Sequence, residues 1–344
     1  MRAAAAILIL CAGAAAWAEQ IRIEVARGKR SARVEAAGRM HALAVRGAGL
    51  TLDGKPVASA QFAGPLRLDG RELPGLLEVF SERGVLVAVN SVDLEQYVAA
   101  VVASEIPPGW PAEALRAQAV AARTFAVAQK IAQGPGARAH LGASVLDQVY
   151  RNAARTPQPA LDAARATAGE VLTWGAAPIA AYFSASCGGR SESAEAAFHL
   201  DPGTAPYLRG GEPDGDERGW TVRVPLAEIT AALRKAGRMQ AGILGVAVES
   251  RTASGRAQGL ALETSAGRRP LLAVELRQLL GYSRLPSLLF EVTAEGGVAV
   301  FRGRGNGHGV GLCQWGARAR ALAGATYRDI LAHYYPGAEV RRMY

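Results

Sequence analysis

The sequence predicts an α+β fold, and three observations lead there. Up to residue 92 the 344-residue chain runs in short alternating apolar-polar stretches separated by glycine turns. From Asp93 the apolar period lengthens to that of helices, with strands interleaved. There is no internal repeat and no long linker, and half the residues are hydrophobic, as in a globular chain with a real core.

The elements follow in order. MRAAAAILILCAGAAAWAEQ sets one Arg before an apolar run that ends at Ala16-Trp17-Ala18. The run is short for a membrane span and the A-x-A pattern suits cleavage, so residues 1–18 read as a secretory signal. The mature protein is then exported, to the periplasm or cell-wall space, with no stable membrane anchor. IRIEVARG, MHALAVRG, LTLDGKPV, PLRLDG and VLVAVNSV give an all-β region over 19–90. In DLEQYVAAVVASE, Leu94, Tyr97, Val98, Val101 and Val102 share one helix face. Ser91 or Asp93 is suited to cap that helix, and Ile106-Pro107-Pro108 ends it. A second, Ala-rich helix starts near Pro111 and closes at Gly134. EVLTWGAAPIAAY reads as a hairpin. Residues 205–285 hold a helix (LAEITAALRKAG), strands around 243–264 and a short helix at 273–280, and helices are expected near 314–323 and 326–334.

Charge and cysteines narrow the chemistry. The net charge is +9, suited to an anionic envelope or a carboxylate-bearing partner. Nucleic acid is not implied: there is no zinc-finger spacing, no RNA-binding aromatic signature and no long basic block. Cys11 leaves with the signal, so Cys187 and Cys313 remain, and an even pair in an oxidising compartment points to a disulfide. A cysteine peptidase using Cys187 is the distant alternative. His140 and Asp147 are too few ligands for a metal site, and no metal and no cofactor is expected.

Three features could carry function. Glu105 closes the first helix, where the negative end of the dipole favours a protonated carboxyl, as a general acid requires; the alternative is a solvated helix end. Arg116, Arg123 and Lys130 recur every seven residues on the second helix, either a solvated stripe or a cationic wall for carboxylates. In GRGNGHGVGLCQWG, glycine occupies every second position from 303 to 311, with no phosphate-loop spacing. The alternation fits a strand closely approached by a backbone or ligand, or a loose loop.

LEQYVAAVVASEIPPGWPAEALRAQAVAARTFA, DQVY, AYFSASCGGRSESAEAAF and GRGNGHGVGLCQWGARARALAGATYRDILAHYYPG, in that order, resemble the SpoIID/LytB family. The resemblance implies a SpoIID-like mixed helix/strand core over 91–204 and 286–344, with 205–285 as an inserted α/β subdomain. It implies a lytic transglycosylase acting on peptidoglycan glycan strands, or, as in the amidase-enhancer branch, a wall-binding protein that stimulates a cell-wall amidase. The family's acid in A-x-E-M-P falls on Glu105, and its basic residues on Arg116 and Arg123. The same reading assigns substrate contacts to Arg304, Asn306 and His308, an amide to Gln314 and a sugar-stacking face to Trp315. Departures are Ile106 in place of Met, and Leu146 and Asn152 where some members have zinc-binding cysteines.

Overall fold

The computed structural model describes residues 19–142, 156–211 and 218–344, so the signal segment, Asp147 and Tyr150 lie outside the described residues. The chain divides into two compact units, one running to Ala180 and taking back Glu339–Tyr344, the other Ala181–Ala338.

The first unit begins with the expected β-rich region, in two antiparallel sheets. A four-stranded sheet orders Gln20–Lys29, Val85–Asp93, Leu76–Glu82 and Ser59–Ala63; a six-stranded one is built from the six other strands between Ser31 and Leu73. Alternation does what it should: Ile21, Ile23 and Val25 are buried while their neighbours are not. Strand Val85–Asp93 feeds directly into helix α1 (Leu94–Glu105), whose first turn is capped by the Asp93 carboxylate accepting from Gln96 N–H at 2.9 Å. Leu94, Tyr97, Val98, Val101 and Val102 are all buried. Ile106 turns extended, as a residue before proline must. Helix α2 (Ala112–Gln133) ends at Gly134 with φ 79°, and α3 is Gln158–Ala166. The hairpin Glu170–Trp174/Ala177–Pro178 forms as read, and the C-terminal strand Glu339–Arg342 adds antiparallel to its other edge.

A buried ion pair joins these helices. Arg123 on α2, 0% exposed, grips Glu95 on α1 with Nε and Nη2 at 2.8 and 2.6 Å. Its remaining N–H groups donate to Thr167 Oγ1, Glu170 O and Ala164 O, at and beyond the end of α3. Glu95 also accepts from Gly169 N–H at 3.2 Å and Tyr344 O–H at 2.7 Å. Burial pushes the Glu95 carboxyl upward, but Arg123, Tyr344 and the Gly169 N–H outweigh it and hold the pKa below the ordinary value of 4.5.

The second unit packs two three-stranded antiparallel sheets with helices Leu226–Lys235 and Ala273–Leu280. One sheet orders Gly219–Pro225, Val298–Arg304 and Phe290–Glu295; the other orders Ile243–Arg251, Ala257–Thr264 and Gly267–Leu272. Ile229, Leu233, Leu260, Leu276, Ala299 and Phe301 are among its core residues. Helices Gln314–Leu322 and Tyr327–Tyr334 match the sequence reading, the latter with a capping box between Thr326 and Asp329.

Glu95→Gln leaves Arg123 buried without its counter-charge and should cost ~3–5 kcal/mol in urea unfolding at pH 7. Because the folded-state pKa of Glu95 is depressed, its contribution is present above pH 4.5 and fades as pH falls through the folded value. The gap between wild type and variant should therefore close in acid.

Candidate functional sites

Each unit carries one set of residues singled out by the sequence. In the first, Glu105 is the last residue of α1, half-buried, between exposed Ser104 and fully buried Ile106. Ile106 N–H bonds back to Val102 O at 2.9 Å and fixes the turn that presents the carboxylate. Below it lies the Tyr97 phenol, whose pKa is raised first by complete burial and then by the Glu105 charge. Glu105 is followed, after Ile106, by exposed Pro107 and Pro108.

The arginines of α2 separate into two roles. Arg116 is half-exposed and pairs with Glu113 one turn earlier at 2.5 Å. Arg123 corrects the sequence reading: fully buried, with its guanidinium bonded to Glu95, Thr167, Ala164 and Glu170, it presents nothing to a substrate. Lys130 pairs with Glu19 and with the Gln20 carbonyl. His140 lies buried against Arg22, whose backbone N–H donates to its Nδ1 at 3.1 Å. Burial first, then Arg22 and Lys130, lower its pKa to about 4. Among the described residues no group of three or more His, Cys, Asp or Glu could hold a metal.

In the second unit the glycine row is not a strand along its length. Gly303 closes the strand Val298–Arg304, after which Gly305, Gly307, Gly309 and Gly311 all take positive φ, from 69° to 113°. Three neighbours crowd the row. A side-chain carbon at Gly305 would stand 2.9 Å from Ser186 O and Gly188 N, and one at Gly307 2.6 Å from Ser184 Cβ. At Gly311 it would meet the Tyr182 carbonyl, at Gly309 the Arg256 guanidinium, and at Gly303 the Trp220 ring. Of the alternatives left by the sequence, close approach by another backbone is the one found: residues 182–188 fill the bare side.

The polar residues between the glycines divide likewise. Arg304 and Asn306 have exposed side chains, while the Asn306 backbone exchanges hydrogen bonds with Ser186 at 2.8 and 3.0 Å. His308 accepts Val310 N–H on Nδ1 at 3.0 Å and packs against Tyr182 and Phe198. Burial, then the charges of Arg277 and Arg256, bring its pKa to about 4, so near neutrality it offers a neutral ring. Gln314 is 2% exposed, which corrects its assignment as an amide open to substrate. Trp315 is half-buried, and the Arg218 guanidinium lies 3.1 Å from its ring centroid, so one face is already occupied.

Cys187 and Cys313 are adjacent and wholly buried. No S–S bond joins them in this structure; the Cys313 sulfur accepts from Cys187 N–H at 3.2 Å and Gly316 N–H at 3.4 Å, capping Gln314–Leu322. A thiol so enclosed is not placed to attack a peptide. Three residues that sequence reasoning passed over organise this region. Arg256, nearly buried, donates to Cys187 O at 2.7 Å and Arg190 O at 3.0 Å. Glu192 accepts from Thr252 and Ser254 hydroxyls, and Tyr335 O–H donates to Tyr182 O at 2.6 Å. No local pattern marks them, since each partner is distant in sequence.

The chain is similar to known proteins over most of its length. Residues 82–174 match the model of the stage II sporulation protein family, SpoIID, and residues 212–311 match a domain of unknown function, DUF8618. The chain is 32% identical to stage II sporulation protein D of Bacillus subtilis over 274 residues, covering 74% of this chain and 76% of that one. It is 30% identical to an uncharacterized protein of Brachyspira hyodysenteriae, covering 79% and 73% respectively. Identity to the amidase enhancer of Bacillus subtilis is 27%, over 69% of this chain but 39% of that longer protein.

Two measurements check the second unit. In an NMR titration the His308 ring should stay neutral down to about pH 5, with its midpoint near 4; a midpoint near the ordinary 6.5 would contradict its enclosure. Iodoacetamide without reductant should leave the native protein unmodified and add two groups after unfolding, one each on Cys187 and Cys313. No addition after unfolding would show that the pair is oxidised.

Proposed function

The chain belongs to the SpoIID/LytB family, and from that premise we propose that it is an exported peptidoglycan lytic transglycosylase with Glu105 as its general acid. The family supports a role in cell-wall remodelling. The observation that carries the finer reading is Glu105 itself, in Ala103-Ser104-Glu105-Ile106-Pro107, half-buried at the tip of α1 beside the Tyr97 phenol. The basic net charge suits an acidic wall polymer. No helix among the described residues is long and apolar enough to cross a membrane, which is compatible with a protein released after signal cleavage.

In the proposed mechanism Glu105 donates its proton to the oxygen linking N-acetylmuramic acid to N-acetylglucosamine. As the C1–O bond breaks, the muramic acid C6 hydroxyl adds to C1 and gives up its proton to the Glu105 carboxylate. A 1,6-anhydro end and a new N-acetylglucosamine 4-hydroxyl result, with no water consumed and the acid regenerated. Ordinary glycosidases need two carboxylates flanking the bond; here the nucleophile belongs to the substrate, so one acid suffices. Among the sequence-assigned contacts, Arg116, Arg304, Asn306 and His308 remain the proposed substrate contacts. Peptide-stripped glycan is the proposed substrate, and sporulation the family's associated process.

A second reading rests on the similarity to an amidase enhancer: a non-catalytic wall-binding protein that stimulates an N-acetylmuramoyl-L-alanine amidase. One experiment separates them. Amidase-stripped glycan strands incubated with the exported chain should yield new 1,6-anhydromuramic ends by mass spectrometry. Glu105→Gln should reduce the rate at least a hundredfold. Glycan binding without cleavage in the wild type would favour the enhancer.

A further inference from the structure

Along the sheet Gly219–Pro225/Val298–Arg304/Phe290–Glu295 lies an open groove of about 710 Å³, which meets the glycine row only at its first residues, Gly303 and Arg304. Its size is that of a site for one or two sugar rings. Strand alternation builds it. Ala299 and Phe301 point into the core, so Arg302 and Arg304 point the other way. The register sets Thr221 and Glu291 directly beside Arg302 on the two flanking strands.

Charge is unevenly matched there. Glu291, the cross-strand neighbour of Arg302, is taken instead by Arg251 at 2.7 Å. Arg302 is exposed and makes no ion pair among the described residues. It therefore holds a guanidinium fork, on the central strand of a sheet, without a carboxylate to fill it. Arg304 adds a second cation two residues on, Thr221 adds a hydroxyl and Leu289 an apolar margin. Gly219 and Gly255 also line it, while the Trp220 ring packs over Gly303. A rigid fork suits a carboxylate held by two parallel hydrogen bonds, and the hydroxyl with the apolar margin suits a ring of alternating hydroxyl and C–H groups.

We infer that this groove is a binding subsite for a carboxylate-bearing sugar, with Arg302 holding the carboxylate. The choice of muramic acid as that sugar rests on the peptidoglycan reading; the site itself does not require Glu105 to be catalytic.

The test is calorimetric titration of the exported chain with the disaccharide N-acetylglucosaminyl-N-acetylmuramic acid. That probe carries the lactyl carboxylate and lacks the bond to be cleaved. Arg302→Gln should weaken binding about tenfold, and Arg302→Glu further, with thermal unfolding unchanged because the side chain is exposed. Chitobiose, which has no carboxylate, should bind weakly and equally to all variants. Glu105→Gln should leave disaccharide binding intact. Disaccharide affinity unchanged by either Arg302 substitution, or chitobiose bound as tightly as the disaccharide, overturns the proposal. Arg302-dependent binding in a wild type that cleaves no glycan supports this subsite and removes only the lytic reading. Cleavage with Arg302-independent binding does the reverse.

Discussion

The first unit depends on the ion pair between Arg123 and Glu95. A guanidinium at 0% exposure is costly to bury, and it is tolerated because its N–H groups meet carboxylate, hydroxyl and carbonyl oxygens. Those acceptors come from α1, the end of α3 and the strand after it, and the C-terminal residue closes over the same carboxylate. The pair fixes the register of α1 against α2. The position of Glu105, ten residues along α1 from Glu95, follows from it. A residue that looks like part of a cationic wall in sequence is thus the anchor of the helix that carries the acid.

In the second unit the governing constraint is steric. The segment 182–188 runs so close to Gly305, Gly307 and Gly311 that any side chain there would collide with it, while Arg256 crowds Gly309 and Trp220 crowds Gly303. Positive φ at four successive alternate positions adds a conformational reason to the spatial one. The intervening residues are then sorted by what the winding backbone leaves them. Arg304 and Asn306 face solvent, and His308 is drawn inward to bond the Val310 backbone. Glycine spacing here encodes backbone packing.

What was legible in the sequence is what local physics decides. Helix α1 was readable to its cap and its stop because its apolar face, Asp93 and the proline pair are consecutive signals. The β-rich region was readable because one face of each strand is buried and the other is not. Arg123 was misjudged because a seven-residue stripe looks alike whether it faces water or a buried carboxylate; only the fold brings Glu95 to it. The burial of Gln314 was illegible for the same reason, since enclosure depends on segments far along the chain. For the glycine row the alternation leaves a strand and a loop equally open, because it is the strand period but glycine favours neither. Positive φ leaves no periodic trace of its own. The cysteines were near one another as composition suggested, but proximity does not determine bonding: the Cys313 sulfur is engaged as a helix cap.

On the proposed reading, chemistry and binding make different demands on the fold. A reaction whose nucleophile is supplied by the substrate asks the protein for one proton donor in a fixed pose. A short helix end held by an ion pair and closed by a proline turn meets that demand. Selecting an acidic sugar within a long polymer asks for something else: a cation with no internal partner, on an element stiff enough to keep it in place. Arg123 and Arg302 show how one residue type serves either end. The first has its hydrogen-bonding groups matched inside the protein and acts as structure, while the second has an acidic neighbour diverted to Arg251 and is left to seek its carboxylate from solution.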